Sequence, residues 1–221
     1  MTNDSLASAL KAIDPTSSAL IVIDVQNDFC APGGYYDRTG ADLAAIDPAV
    51  ERLVKLIDSA RQAGIMVIFV RSQYDPIYLS ATQIARRRRV GWDIPLCQRG
   101  TPGFDFYRVE PAAEEPIVIK HRFDAFYGTD LELILSGNQK RHLFFTGVAT
   151  NVCVESSLRS AFMRDFEVIL VEDCTAARTP LAHESALDNV RKHFGLVAKA
   201  ADLERAWMTR GTSFKARMVE R

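Results

Sequence analysis

An aspartate, a lysine and a cysteine each stand at or just beyond the end of a short apolar run. Asp24 ends Ala19–Ile23, Lys120 ends Pro116–Ile119, and Cys153 follows His142–Thr146 through a turn led by Gly147. A thiol attacks carbonyl carbon only as the thiolate. Hydrolysis of an amide through it needs a base that takes the thiol proton and later activates water. A cation beside the sulfur would hold its pKa down. Asp24 and Lys120 are the residue types for those two roles. Each residue also has an ordinary reading. Cys153 could be a small buried hydrophobe, Asp24 a cap of the next turn and Lys120 a solvated strand end.

The elements around these residues argue for the catalytic reading. The apolar runs at 19–23, 65–70, 116–119, 142–146, 167–171 and 195–198 lack a polar alternation, as strands covered on both faces do. Between them, helical stripes are expected at 48–63, 130–135, 152–164 and 181–194. This β-α alternation predicts an α/β fold, a three-layer α/β/α sandwich around a mainly parallel sheet of about six strands. Ligands of such sheets bind beyond the carboxyl ends of the strands, where all three residues fall. Cys153 is expected in the first turn of the helix at 152–164, where the dipole favours a thiolate. Two stretches, 29–47 and 72–115, read as irregular. A connection as long as the second is functional or holds an extra helix.

Histidine offers a weaker alternative. His142 starts a strand, and His183 and His193 lie on the helix at 181–194. Only His121 neighbours the site, and alternation after Lys120 points it to the other face. No Asp-x-His pair or CxxC spacing is present, so no metal and no cofactor are expected. The dense run Arg86–Arg89 reads first as a solvated helix face. The sharper reading makes one of them a lid arginine that meets a substrate carboxylate.

Composition sets the outer limits. The chain has 221 residues, 48% hydrophobic and 25% charged, with a net charge of −1. That is ordinary for one globular domain and gives no pull toward nucleic acid or membrane. No apolar run approaches the ~18 residues of a membrane span. Four cysteines are too few for a disulfide scaffold. With no leader pattern at residues 1–14, a cytoplasmic protein is expected. Residues 1–16 read as an N-terminal extension, 17–207 as the domain, and 208–221 as a polar tail.

Three strings resemble the isochorismatase-like cysteine hydrolases: Ile23-Asp24-Val25-Gln26-Asn27-Asp28-Phe29, the segment 120–131 beginning Lys120-His121-Arg122, and Gly147-Val148-Ala149-Thr150-Asn151-Val152-Cys153-Val154-Glu155-Ser156. Arg99-Gly100-Thr101-Pro102-Gly103-Phe104-Asp105 is also family-like, and the resemblance covers about residues 17–207. It implies an Asp24-Lys120-Cys153 triad and a cis peptide between Val148 and Ala149. It also implies an oxyanion hole of the Ala149 and Cys153 N–H groups, and assembly as a homodimer or homotetramer.

Within the family, Cys153 argues against vinyl-ether cleavage by true isochorismatases. The histidine-free stretch 70–76 argues against metal-assisted nicotinamidases. The likeness is greatest to the ureide branch: ureidoacrylate, biuret, triuret and N-carbamoylsarcosine hydrolases. His193 stands about where biuret hydrolases carry a glutamine, which counts against biuret itself. The expected activity is hydrolysis of a C–N bond in a small linear amide or ureide, with water as co-substrate. Gln26, Asn27, Phe29, Tyr35, Phe126 and Tyr127 are candidate substrate contacts. Acyl or carbamoyl transfer is a rival reaction, and a non-catalytic thiol sensor is the rival from another class.

Overall fold

The computed structural model describes residues 3–208. Strands β1 (Ser18–Ile23), β2 (Met66–Ser72), β3 (Ile117–Lys120), β4 (His142–Val148), β5 (Glu167–Ala176) and β6 (Leu196–Ala198) form one sheet. Its order is β3-β2-β1-β4-β5-β6, and every neighbouring pair is parallel. The helices are α1 (Asn3–Ala12), α2 (Asn27–Cys30), α3 (Tyr35–Arg38), α4 (Ile46–Gln62), α5 (Ala81–Arg89), α6 (Leu131–Gly137), α7 (Glu155–Phe162), α8 (Pro180–His193) and α9 (200–208).

The three-layer sandwich follows from β1. All of its residues are buried. Leu20 and Val22 join one core with Val50, Leu53 and Ile57 of α4 and with Leu203 and Trp207 of α9. Ala19, Ile21 and Ile23 join the other with Leu131 of α6, Leu158 of α7 and Leu187 of α8. Successive side chains of a strand point to opposite faces, so a run buried on both sides reads as continuously apolar.

Several elements differ from the sequence expectation. Residues 3–12 of the expected extension form α1, whose Leu10 joins the first core. Of the expected tail, Met208 belongs to α9, and 209–221 lie outside the described residues. The helix expected at 152–164 opens with a wide π-helical turn, Thr150–Val154, before α7 begins. Strand β5 continues to Ala176 because Thr175 and Ala176 pair with Gly147 and Val148 beyond a register shift in β4. The stretch 72–115 contains α5. Its capping box is reciprocal: Gln83 N–H donates to Ser80 Oγ at 3.2 Å, and Ser80 N–H to Gln83 Oε1 at 3.0 Å. The Ser-x-x-Gln spacing is a readable helix start.

Candidate active site

From β1 the chain winds outward through β2 to β3, then returns to place β4 on the other side of β1. The crevice at that reversal is where open parallel sheets bind ligands. Two backbone features shape it. Asp24 takes a left-handed φ of 54° and is held by its N–H to Val70 O at 2.8 Å. Gly147 has φ 104°, and a Cβ there would lie 1.9 Å from the Ile23 carbonyl oxygen. Glycine alone lets the end of β4 close onto the end of β1.

Lys120 ends β3, two strands from Asp24. Strands lie about 4.8 Å apart, so its long stem must cross the end of β2. It does, and Nζ stands 2.7 Å from Asp24 Oδ2, with both side chains fully buried. Lys120 Nζ also donates to Ser72 Oγ at 2.8 Å and to Arg122 O at 3.0 Å. Ser72 Oγ in turn donates to Asp24 Oδ1 at 3.0 Å. Desolvation works against a charged lysine here, but the acidic groups around it, the Asp24 carboxylate foremost, together outweigh it and hold the Lys120 pKa well above its ordinary value. The ammonium and carboxylate form a closed ion pair.

Cys153 lies against this pair, in the π-helical turn after β4. The sequence argument expects its thiol pKa to be lowered. The structure shows the opposite direction for the unliganded site. Burial pushes the thiol up, Lys120 pulls it down, and Asp24 pushes it up again. The charge of Lys120 is already matched by Asp24, so a thiolate would add an unbalanced charge to a dry site. Cys153 is thus a neutral thiol with a carboxylate at hand to accept its proton.

Ser72 was not among the sequence candidates. Its signal was available: it ends β2, and the β2–β3 register pairs it with Lys120. Ending that strand at Val70 hides it.

A cavity of about 380 Å³ opens over Cys153, within the usual range for small-molecule sites. Phe29 and Tyr35 line it, as do Tyr36, Tyr74, Trp92 and Arg178. Tyr35 is fixed by its hydroxyl, which donates to Trp92 O at 2.9 Å. The other four candidate contacts lie outside its lining. Gln26 is fully buried and spent on scaffolding: Nε2 donates to Ser72 O and Phe104 O at 3.0 and 2.9 Å, and Oε1 accepts from Ser72 N at 2.7 Å. Asn27 Nδ2 donates to Pro102 O at 2.8 Å. Phe126 packs in the second core against Phe166, and Tyr127 is 64% exposed. Ala149 lines the cavity, and the Val148–Ala149 peptide is cis.

Among the described residues no histidine lines the cavity. His121 bonds through Nδ1 to Gln73 O at 2.8 Å and stacks on Tyr78. His183 Nδ1 pairs with Thr150 Oγ1 at 2.9 Å, and burial lowers its pKa. His193 is exposed near the end of α8. Among the described residues no group of three or more His, Cys, Asp or Glu could hold a metal ion. No helix among them is long and apolar enough to cross a membrane.

Residues 18–202 match the isochorismatase domain. The chain belongs to the isochorismatase family. It is 36% identical over 211 residues to a ureidoacrylate amidohydrolase, RutB, of Methylobacterium radiotolerans, covering 88% of this chain and 81% of that protein. It is 35% identical to a ureidoacrylate amidohydrolase of an Enterobacter species, covering 85% and 88% of the two chains. Among solved structures, a cysteine hydrolase from Pseudomonas syringae superposes with a TM-score of 0.77 at 25% identity, covering 89% and 95%. Both faces of this isochorismatase domain therefore carry the helices expected of it, and its sheet edge carries the Asp24, Lys120 and Cys153 cluster.

The arginine run divides. Arg88 bonds Asp93 at 3.0 Å and faces solvent, as a helix face would. Arg86 and Arg87 line the cavity, and Arg87 is buried. All four stand in the last turn of α5, where cations suit the helix dipole.

Proposed function

We propose that this protein is a cysteine amidohydrolase that cleaves a C–N bond of a small linear amide or ureide. The observation that carries the reading is the buried Asp24–Lys120 ion pair against the Cys153 thiol at the floor of the cavity. Ureidoacrylate, on which the relatives at 35–36% identity are named to act, is the first substrate to try.

Asp24 takes the Cys153 proton as the sulfur attacks the carbonyl carbon. Lys120, kept protonated, balances the negative charge that passes between sulfur and carboxylate. The carbonyl oxygen, now an anion, is received by the Ala149 and Cys153 N–H groups, an electrostatic role of large weight in acyl transfer. Asp24 returns its proton to the leaving nitrogen, the C–N bond breaks, and ammonia or an amine departs. Water then gives a proton to Asp24 and its oxygen to the acyl carbon. The C–S bond breaks, and Asp24 passes that proton to the departing sulfur, which restores the thiol and the carboxylate together. Ser72, bonded to both charged partners, keeps the carboxylate aimed through the cycle.

The test is ammonia release from ureidoacrylate, biuret, triuret, N-carbamoylsarcosine, nicotinamide and maleamate, with a chelator present. A ureide should be hydrolysed by the wild type and not by Cys153→Ala. Turnover undiminished in Cys153→Ala overturns the proposal. An added acceptor amine separates hydrolysis from carbamoyl transfer by its product. Assembly as a homodimer or homotetramer belongs to the same reading and is measured by light scattering.

A further inference from the structure

Helix α8 holds the turn that carries Cys153 at its start, its middle and just beyond its end. At the start, His183 Nδ1 bonds Thr150 Oγ1 at 2.9 Å. In the middle, Leu187 and Val190 pack with Cys153 and Val154 in the second core. Beyond the end, Asn189 Nδ2 donates to Glu155 Oε1. The first contact bears on the chemistry. Thr150 is fully buried and follows Ala149, the residue of the cis peptide that lines the cavity. The Val152 and Val154 N–H groups both donate to Ala149 O, at 3.0 and 3.2 Å. The backbone of the turn is thus anchored on Ala149, and the Thr150 side chain ties it to α8.

The tie has a direction. Among the described residues His183 is the only hydrogen-bond partner of the Thr150 hydroxyl. A buried hydroxyl hydrogen without an acceptor is costly. Nδ1 therefore accepts it, and the ring carries its own hydrogen on Nε2. That requires a neutral imidazole, and two features keep it so. His183 lies in the first turn of α8, behind the Thr179 cap and Pro180, where the helix dipole disfavours a cation. It is also half-buried, and desolvation lowers its pKa. The charges facing it are Glu184 and Arg191 of α8 and Glu172 and Asp173 of β5. Arg191 bonds Glu172 at 2.6 Å, and Arg52 bonds Asp173 at 3.4 Å, so those two carboxylates are matched. The start of α4 brings only uncharged Ala45, Pro48 and Ala49. With these residues His183 lines a second cleft of about 260 Å³, which gives protons a way in. A proton on Nδ1 turns the acceptor into a donor and strands the Thr150 hydrogen.

We propose, resting on the amidohydrolase reading, that neutral His183 is a positioning residue: through Thr150 it holds the turn that aims the Cys153 sulfur and the Ala149 N–H at one carbonyl. Acid breaks this hold, so part of the acid loss of turnover belongs to His183.

The whole protein is compared with His183→Ala, His183→Asn, Thr150→Val and the double variant of His183→Ala with Thr150→Val. Ammonia release is read from ureidoacrylate, or from whichever amide of the panel is turned over. Val keeps the shape of Thr without the hydroxyl, and Asn offers an amide oxygen near the place of Nδ1 without titrating. Loss of either partner should lower kcat by about tenfold or more, with KM within about twofold, as misplacing a reacting group does. The double variant should lose no more than either single one. His183→Asn should recover part of kcat. Wild-type kcat should fall in acid with a midpoint below about pH 6.5, the ordinary histidine value, and His183→Asn should lack that limb. A lower melting temperature in His183→Ala with kcat and its pH profile unchanged overturns the positioning role. Additive losses in the double variant overturn the route through Thr150.

A second readout needs no turnover. Iodoacetamide forms a C–S bond at Cys153 with loss of iodide. Loosening the turn relieves the burial of the thiol, so at about pH 8 both single variants should react several-fold faster than the wild type. Should His183→Ala fail to fold, Thr150→Val carries both comparisons. A protein silent on every amide loses the reaction. Faster alkylation in Thr150→Val then keeps the hold on the turn, and an equal rate overturns it. A protein that hydrolyses an amide with kcat untouched by Thr150→Val keeps the reaction and loses the hold.

Discussion

Lys120 and Asp24 meet at 2.7 Å with no solvent exposure at either side chain, although their strands are separated by β2. The pair is a charge pair sealed from water at the reactive end of the sheet. Removing one partner strands the other as an unpaired buried charge, a loss of about 3–5 kcal/mol in such settings. Lys120→Met and Asp24→Asn should each destabilise by that order and abolish turnover. The double variant should lose much less than their sum in urea denaturation. Additive losses would show that the pair does not couple.

Ser72 bonds both members of that pair. Ser72→Ala removes a hydroxyl from two buried charged groups, which costs about 1–3 kcal/mol in stability. The same change frees the Asp24 carboxylate to turn, so kcat should fall by about tenfold or more, a kcat loss typical of misplaced catalytic groups. KM should move little. A loss confined to KM would place Ser72 in binding instead.

Cys153 should alkylate with an alkaline pH profile. Its thiol pKa is raised by burial, so little thiolate exists near neutrality. The rate with iodoacetamide should still be climbing above about pH 8.5, the ordinary thiol value, rather than levelling below it. The sign for stability follows. The folded thiol keeps its proton where the unfolded one releases it, so this contribution is present below the unfolded value and is lost as pH rises through the folded one. Cys153→Ala should flatten that part of the stability profile. A plateau in alkylation near pH 7 would mean that Lys120 dominates the free site after all.

Gly147→Ala should be among the most damaging small substitutions in the chain. The added methyl would stand 1.9 Å from Ile23 O at a φ of 104°. Backbone cannot yield there without parting β4 from β1, so the soluble yield and the melting temperature should both fall sharply. An unchanged melting temperature would refute the close approach.

The strand-end logic found Asp24, Lys120 and Cys153 because apolar runs that stop abruptly mark buried strands, and the carboxyl ends of parallel strands converge. The same logic missed Ser72, because Arg71 interrupts the apolar run one residue before the strand ends. The pocket contacts were harder. Gln26 and Phe126 neighbour the motif residues in sequence, yet one is consumed by backbone partners and the other turns into the core. Adjacency along a chain says nothing about which way a loop side chain turns.

The amino-acid sequence by itself determined the layer order, the strands and the three polar residues that gather at their ends. These follow from local rules: apolar patterning sets the strands, and parallel pairing gathers their ends. Tertiary structure alone decided the charge state of the site and the shape of what can enter it. Cys153 has a raised pKa because it is buried, with Asp24 set against the pull of Lys120, and Arg87 of a polar run becomes buried because α5 folds back over Tyr74. Both results depend on distances between residues far apart in the chain, and electrostatics in a dry site varies with those distances more than with residue identity.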